Sequence, residues 1–174
     1  MTENANNLEC PIFQDMTPEE SRLVLELFEN ETFPQGEEIL VEGLSTRILW
    51  IILHGECEVV KSTGNGETRV LAHLAQGAVF GEMSFFQPAP HSASVCATTN
   101  VEVMKLSREK FELLREQAPL AAYKIAANTA RVLAERLRRM DEWTREQFNG
   151  PNANEHQREE WHEFRAKLYS EWEF

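Results

Sequence analysis

Residues Phe80 to Val95, FGEMSFFQPAPHSASV, collect side-chain types that handle a small anionic ligand. Gly81 has no side chain where a ligand would have to approach the backbone. Glu82 offers a carboxylate to a sugar hydroxyl. The residues after Gly81 can open a short helix, and the first amides of a helix lack intrahelical partners, which suits phosphate. Ser92 and Ser94 add hydroxyls, and His91 is the only side chain of the stretch that can carry positive charge. The chemistry is that of a ligand part sugar and part anion. Sites of this kind usually hold a fixed cation as well.

The elements that must position these residues are legible. Thr17-Pro18-Glu19-Glu20 supplies a capping hydroxyl, a proline at the first helical position and a glutamate three residues after the cap, so a short helix opens the fold. Its apolar face is Leu23, Leu27 and Phe28. From Thr32 to Leu106 short apolar runs alternate with glycines, and strands are expected at Glu38–Val41, Arg47–Leu53, Glu56–Lys61, Thr68–Leu74, Ala93–Ala97 and Glu102–Leu106. In the third of these, Glu56, Glu58 and then Lys61 are assigned to one face, Cys57 and Val59 to the other. Asn65-Gly66 reads as a hairpin turn. Many short strands with glycine turns indicate a mainly β fold with flanking helices, a small barrel or jelly roll.

Ser107 caps a helix through Phe111 and Leu114. Pro119 opens a long helix running to about Phe148. Ala122, Ala126, Thr129, Leu133, Arg136, Met140 and Trp143 recur along it at helical spacing, with Ile125, Val132 and Leu137 beside them. Two apolar stripes need two neighbours, one the barrel and the other a second copy of the helix, so a homodimer is expected. Asn149 to Asn152 reads as a linker. Glu155 to Phe174 reads as an amphipathic tail helix with Trp161, Phe164, Leu168 and Trp172 on one face.

Composition narrows the function. The formal net charge of -12 argues against general nucleic-acid binding. Arg131, Arg136, Arg138, Arg139 and Arg145 are interleaved with Glu135, Asp141 and Glu142, the pattern of a solvated helix face. The longest apolar run, Ile48 to Leu53, is far too short for a membrane span, and Met1 to Asn7 has no signal-peptide core. A cytoplasmic protein is expected. Cys10, Cys57 and Cys96 have no metal-ligand spacing, and Cys57 and Cys96 fall in apolar strands.

Three blocks then occur in one order: Phe33-Pro34-x-Gly36-x-x-Ile39-Leu40-x-x-Gly43, Leu49-Trp50-Ile51-Ile52-x-x-Gly55-x-Cys57-x-Val59, and Leu74-x-x-Gly77-x-x-Phe80-Gly81-Glu82 with Ser84-Phe85-Phe86. From about Leu8 to Phe148 the chain resembles the cyclic nucleotide-binding domain of catabolite-activator-type regulators, cyclic-nucleotide-dependent kinases and channels. The resemblance implies an eight-stranded β-roll over about 32–106, flanked by helices, with the long helix of about 119–148 dimerising. The segment 149–174 would be linker and tail. It implies cyclic AMP or cyclic GMP as ligand, no other cofactor, and contacts from Phe80, Gly81, Glu82, Met83, Ser84, His91, Ser92 and Ala93. Glu82 would hold the ribose 2′-hydroxyl, and the amides of Glu82, Met83 and Ser84 would hold the phosphate with Ser92. At the purine, the resemblance places Arg136 and Leu137, where Arg136 either stacks on the base or faces the dimer mate.

One position departs. The family pattern Arg-Ser/Ala-Ala-Thr/Ser-Val reads His91-Ser92-Ala93-Ser94-Val95 here. Arginine is always charged, whereas histidine is mostly neutral at pH 7. The lost charge-assisted bond, about 1.5–3 kcal/mol, implies affinity about ten to a hundred times weaker. If phosphate recharges His91, binding should tighten from about pH 7.5 to about pH 5.5. Three function classes follow: a cyclic-nucleotide sensor signalling through helix movement to an unknown protein partner; a degenerate roll serving as a dimerisation or protein-interaction module; and a metal enzyme of the cupin kind. The last would need His54, His73 and His91 to converge, and the sequence has no His-x-His pair. No enzyme activity is expected. The acidic tail from Asn152 is too short for a DNA-binding module, so direct DNA binding is not expected.

Overall fold

The computed structural model describes residues 10–63 and 66–149. A short 3-10 turn at Pro11–Phe13 precedes helix α1, Pro18–Leu25. The Thr17 hydroxyl accepts from the Glu20 amide at 3.2 Å and the Glu20 carboxylate accepts from the Thr17 amide at 2.7 Å, the reciprocal cap its sequence implies. Strands follow at β1 Glu29–Phe33, β2 Glu38–Leu40, β3 Ile48–His54, β4 Cys57–Ser62, β5 Thr68–Leu74 and β6 Val79–Phe80. Helix α2, Glu82–Phe86, separates them from β7 Ser94–Ala97 and β8 Val101–Ser107. Helices α3, Arg108–Gln117, and α4, Pro119–Asn149, complete the described chain.

The strands form two antiparallel four-stranded sheets, ordered β1-β8-β3-β6 and β2-β7-β4-β5, which is the eight-stranded roll. Two strands escape the sequence reading. β1, Glu-Asn-Glu-Thr-Phe, is polar because it is an exposed edge strand, and β6 is only two residues long. The Asn65-Gly66 turn lies partly outside the described residues, but β4 and β5 pair antiparallel on either side of it.

The apolar run of β3 is explained by burial on both faces. Leu49, Ile51 and Leu53 point to a cluster with Val24 of α1, Phe85 of α2, Phe111 of α3 and Ile125 of α4. Trp50 and Ile52 point between the sheets, against Leu40, Cys57, Phe80, Val95 and Val103. β8 divides in the same way, Met104 and Leu106 to the helices, Val101 and Val103 to the inter-sheet core. Each such side chain contributes about 1.5–3 kcal/mol, so β3 is the most expensive strand to disturb.

The chain divides into two compact units, 1–129 and 130–174. In the first, α4 contributes Ala121, Ala122, Ile125 and Thr129, all buried. In the second it exposes Leu137, Met140 and Trp143. The expected tail helix, its Trp161, Phe164, Leu168 and Trp172, and the linker lie outside the described residues. No described helix is long and apolar enough to cross a membrane.

Gly55, between β3 and β4, has φ of +88°, and a Cβ there would sit 2.4 Å from the Asn100 carbonyl oxygen. Neither the backbone conformation nor the close strand crossing tolerates a side chain. Gly55→Ala is expected to cost about 2–4 kcal/mol of stability in urea unfolding; a loss below about 0.5 kcal/mol would contradict this packing.

Candidate functional site

Helix α2 opens from Gly81, whose φ of +78° is left-handed. A Cβ on Gly81 would lie 2.5 Å from the Ile48 carbonyl oxygen and 3.1 Å from Trp50 Cδ1. The chain's own strand β3 crowds this position, so the fold requires the glycine whether or not a ligand approaches it. The neighbouring indole N–H of Trp50 is buried and has no acceptor among the described residues. Phe80 stacks on Trp50, with ring centroids 6.0 Å apart, so its side chain belongs to the inter-sheet core.

The far end of α2 is also held. The Phe85 carbonyl accepts from Arg47 at 3.3 Å and Arg108 at 3.5 Å. The Arg108 guanidinium lies over the rings of Phe85, Phe86 and Phe111, at 5.6, 6.0 and 5.1 Å from their centroids. Cations at the C-terminal end of a helix complement its dipole. The short helix is thereby fixed at both termini, and the residues it carries are set in direction. Glu82 is buried, at 4% exposure, Ser84 is buried, and Met83 projects to solvent at 60%.

His91 is the hinge of the arrangement. It is 5% exposed, and its ring is turned into the fold. Nε2 lies 2.6 Å from the Thr46 hydroxyl and accepts the Thr46 backbone N–H at 3.3 Å. Nδ1 lies 2.7 Å from the Ser84 hydroxyl. A backbone N–H can only donate, so Nε2 must be unprotonated, and the ring proton sits on Nδ1, donating to Ser84 Oγ. A charged ring would place a second N–H against the Thr46 amide. Burial pushes the pKa below the ordinary histidine value. In this structure both ring nitrogens are taken, and the surroundings favour the neutral form.

The main chain of His91 extends the lock. Its N–H donates to the Leu44 carbonyl at 2.8 Å, and its carbonyl accepts the Gly43 N–H at 3.0 Å. The loop after β2, the segment before β7 and α2 therefore share one histidine. Beyond it, Ser92 is exposed and Ala93 buried. The Ser94 hydroxyl accepts the Glu42 N–H at 2.9 Å.

A cation does stand beside the segment. Lys61 Nζ lies 2.6 Å from the Ser92 carbonyl oxygen and 2.7 Å from Glu42 Oε1, while Glu42 Oε2 accepts the Ser62 N–H at 3.0 Å. The Lys61 bond, followed by the Ser62 amide, holds the Glu42 carboxyl below its ordinary pKa. The sequence pattern assigns Lys61 to the face of Glu56 and Glu58. β4 pairs with β7 without interruption, Val59 opposite Val95 and Val60 opposite Ser94, so Lys61 falls in step with Cys57 and Val59 instead. Counting two residues on from Val59 would have found it. Thr46, Glu42, Arg47 and Arg108 carry no comparable local signal, because their roles arise from contacts distant in sequence.

Arg136 lies on α4, in the second unit, and is partly buried. His54 and His73 are exposed, His73 lying 3.4 Å from Glu58, and neither approaches the buried His91 pair of hydroxyls. Among the described residues no group of three or more His, Cys, Asp or Glu side chains is placed to hold a metal ion. Cys57 is buried, its thiol pushed up to about 11 by burial, whereas Cys96 is only partly buried. A surface groove of about 410 Å³ lies elsewhere, lined by Thr32, Phe33, Pro34, His54, Asn100, Val101 and Glu102, and contains none of the residues expected at the nucleotide site.

A roll of two four-stranded sheets, with a glycine–glutamate turn into a short helix bonded to the His-Ser-Ala segment that enters β7, defines a class, and the comparisons agree with it. Residues 30–118 match the cyclic nucleotide-binding domain, and the chain belongs to that family. It is 35% identical over 131 residues to the cyclic AMP receptor protein of Thermus thermophilus, covering 75% of this chain and 59% of that protein. It is 30% identical over 106 residues to the cAMP-dependent protein kinase regulatory subunit of Neurospora crassa, covering 61% of this chain and 27% of the subunit. Among solved structures, a cyclic nucleotide-binding domain from Methylobacillus flagellatus superposes with a TM-score of 0.69 at 29% identity, over 79% of this chain and 76% of that one. The chain thus spans 59% or less of the curated relatives described here.

Neutral His91 has a pH signature. The unfolded chain takes up the proton near 6.5 while the folded protein resists it to lower pH, so this stability is complete above 6.5 and is lost as pH falls toward the depressed value. Glu20, Glu29, Glu42 and Glu109, held below 4.5, contribute stability that is lost only at still lower pH. Urea unfolding should therefore show wild-type stability falling from about pH 7.5 to about pH 5.5, with most of that fall absent in His91→Gln. An equal fall in both proteins would contradict the assignment.

Proposed function

We propose that the chain is a regulatory domain that senses a cyclic nucleotide, with cyclic AMP the first candidate, and signals through helix movement to a protein partner. The observation that carries this reading is Glu82: a carboxylate kept buried at the head of an anchored α2, directly after left-handed Gly81, in a chain of this family. Burying a carboxylate is costly, and in this reading Glu82 accepts the ribose hydroxyl. Exposed Ser92 and the first amides of α2 receive the phosphate. His91 acts as a positioning residue that keeps Ser84, Thr46 and the loop between them in place. Relatives named for cyclic AMP support the choice of nucleotide. Binding, rather than catalysis, is the activity in this reading, and its setting is cytoplasmic.

Signal output goes through α4. Its exposed Leu137, Met140 and Trp143, each between 52% and 59% exposed, suit a second copy of the same helix. Sedimentation at tens of micromolar should show a dimer, and Leu137→Glu with Trp143→Glu should return a monomer; a wild-type monomer throughout would contradict the helix assignment.

The alternative is a roll that no longer binds nucleotide and serves as a protein-interaction module. It is favoured by His91, whose ring occupies Ser84 in place of an arginine aimed at phosphate. Melting curves separate the two. Millimolar cyclic AMP should raise the melting temperature by about 3–5 °C if the site has high-micromolar affinity. Glu82→Ala should abolish the shift. No shift with millimolar cyclic AMP or cyclic GMP would leave the interaction module standing.

A further inference from the structure

We propose that Lys61 is the cation of the phosphate site, held by Glu42 in the unliganded protein and transferred to the ligand's cyclic phosphate on binding. The inference rests on the sensor reading above. Three observations lead to it. Lys61 Nζ is already 2.6 Å from the carbonyl of Ser92, the residue whose hydroxyl would receive phosphate. The ammonium is therefore already bound to the main chain of the residue that would receive phosphate. Strand β4 places Lys61 in step with Cys57 and Val59, whose side chains belong to the inter-sheet core or pack against it. His91 cannot serve, since Thr46 and Ser84 occupy both of its ring nitrogens.

Glu42 is the stand-in anion. One carboxylate oxygen lies 2.7 Å from Lys61 Nζ, and the other accepts the Ser62 N–H. If Lys61 turns to a phosphodiester, Glu42 keeps the Ser62 bond and its own amide keeps Ser94 Oγ, while Glu42 Oε1 and the carbonyl of exposed Ser92 exchange Lys61 for solvent. The pair is accessible, with side chains 47% and 29% exposed, and such pairs are weak enough for an incoming anion to displace. Lysine suits the role: a permanent point charge on a flexible stem, with three donors. The exchange also ties the loop that carries Glu42 to ligand occupancy, since a phosphate on Lys61 releases one of its two anchors to β4.

The test is calorimetric titration of the full chain with cyclic AMP and cyclic GMP, using wild type, Lys61→Met, Glu42→Gln and Glu82→Ala, each checked for an unchanged melting temperature without ligand. Lys61→Met should weaken binding about tenfold or more and flatten its salt dependence. Glu42→Gln should tighten it severalfold, because the competing carboxylate charge is gone. If Lys61→Met binds as wild type while Glu82→Ala does not, the assignment of Lys61 is overturned and the sensor reading stands. If Glu42→Gln binds no tighter than wild type, the exchange is overturned. If wild type binds neither nucleotide, both readings fall together.

Discussion

A single imidazole ties three segments together. His91 reaches Thr46 with one nitrogen and Ser84 with the other, while its main chain pairs with Gly43 and Leu44. The loop after β2, helix α2 and the segment entering β7 have no long mutual hydrogen-bond ladder, so their relative placement depends on this residue, on the Glu42–Ser94 and Lys61 contacts and on the two arginines at Phe85. The chemistry of the lock requires a neutral ring. Two donors converge on Nε2 and an acceptor meets Nδ1, an arrangement that a second ring proton breaks.

That requirement redistributes roles across the site. Where the family pattern expects a permanent cation, this chain keeps an uncharged, buried ring whose task is structural. Under the proposed function, the anion chemistry falls to what remains accessible, the Ser92 hydroxyl, the opening amides of α2 and the ammonium of Lys61, with Glu82 at the sugar end. The division is physically coherent, because a buried charge at position 91 would need compensation that its hydroxyl partners do not provide.

Much of the architecture was legible in the sequence, for identifiable reasons. The caps at Thr17 and Ser107 are local signals, and both are present. β3 declared itself by a continuous apolar run that only burial on both faces accommodates. β1 was invisible because an exposed edge strand need not be apolar, and β6 because two residues carry no period. At the site, Gly81, Glu82 and His91 were recognised as important, but the burial of His91 depends on Thr46, 45 residues away, and on Ser84, seven residues away. Lys61 was placed on the wrong face by a slip of one residue in a period-2 pattern, the error to which strand reading is most exposed.

The protonation state of His91 decides whether this division of labour is right, and ring nitrogen-15 shifts measure it directly. At neutral pH the account expects a neutral imidazole with its proton on Nδ1 and an unprotonated Nε2, persisting below 6.5. A charged imidazolium at neutral pH, or a proton on Nε2, would mean that His91 is not locked against Thr46, and it would regain the place of phosphate cation assigned here to Lys61.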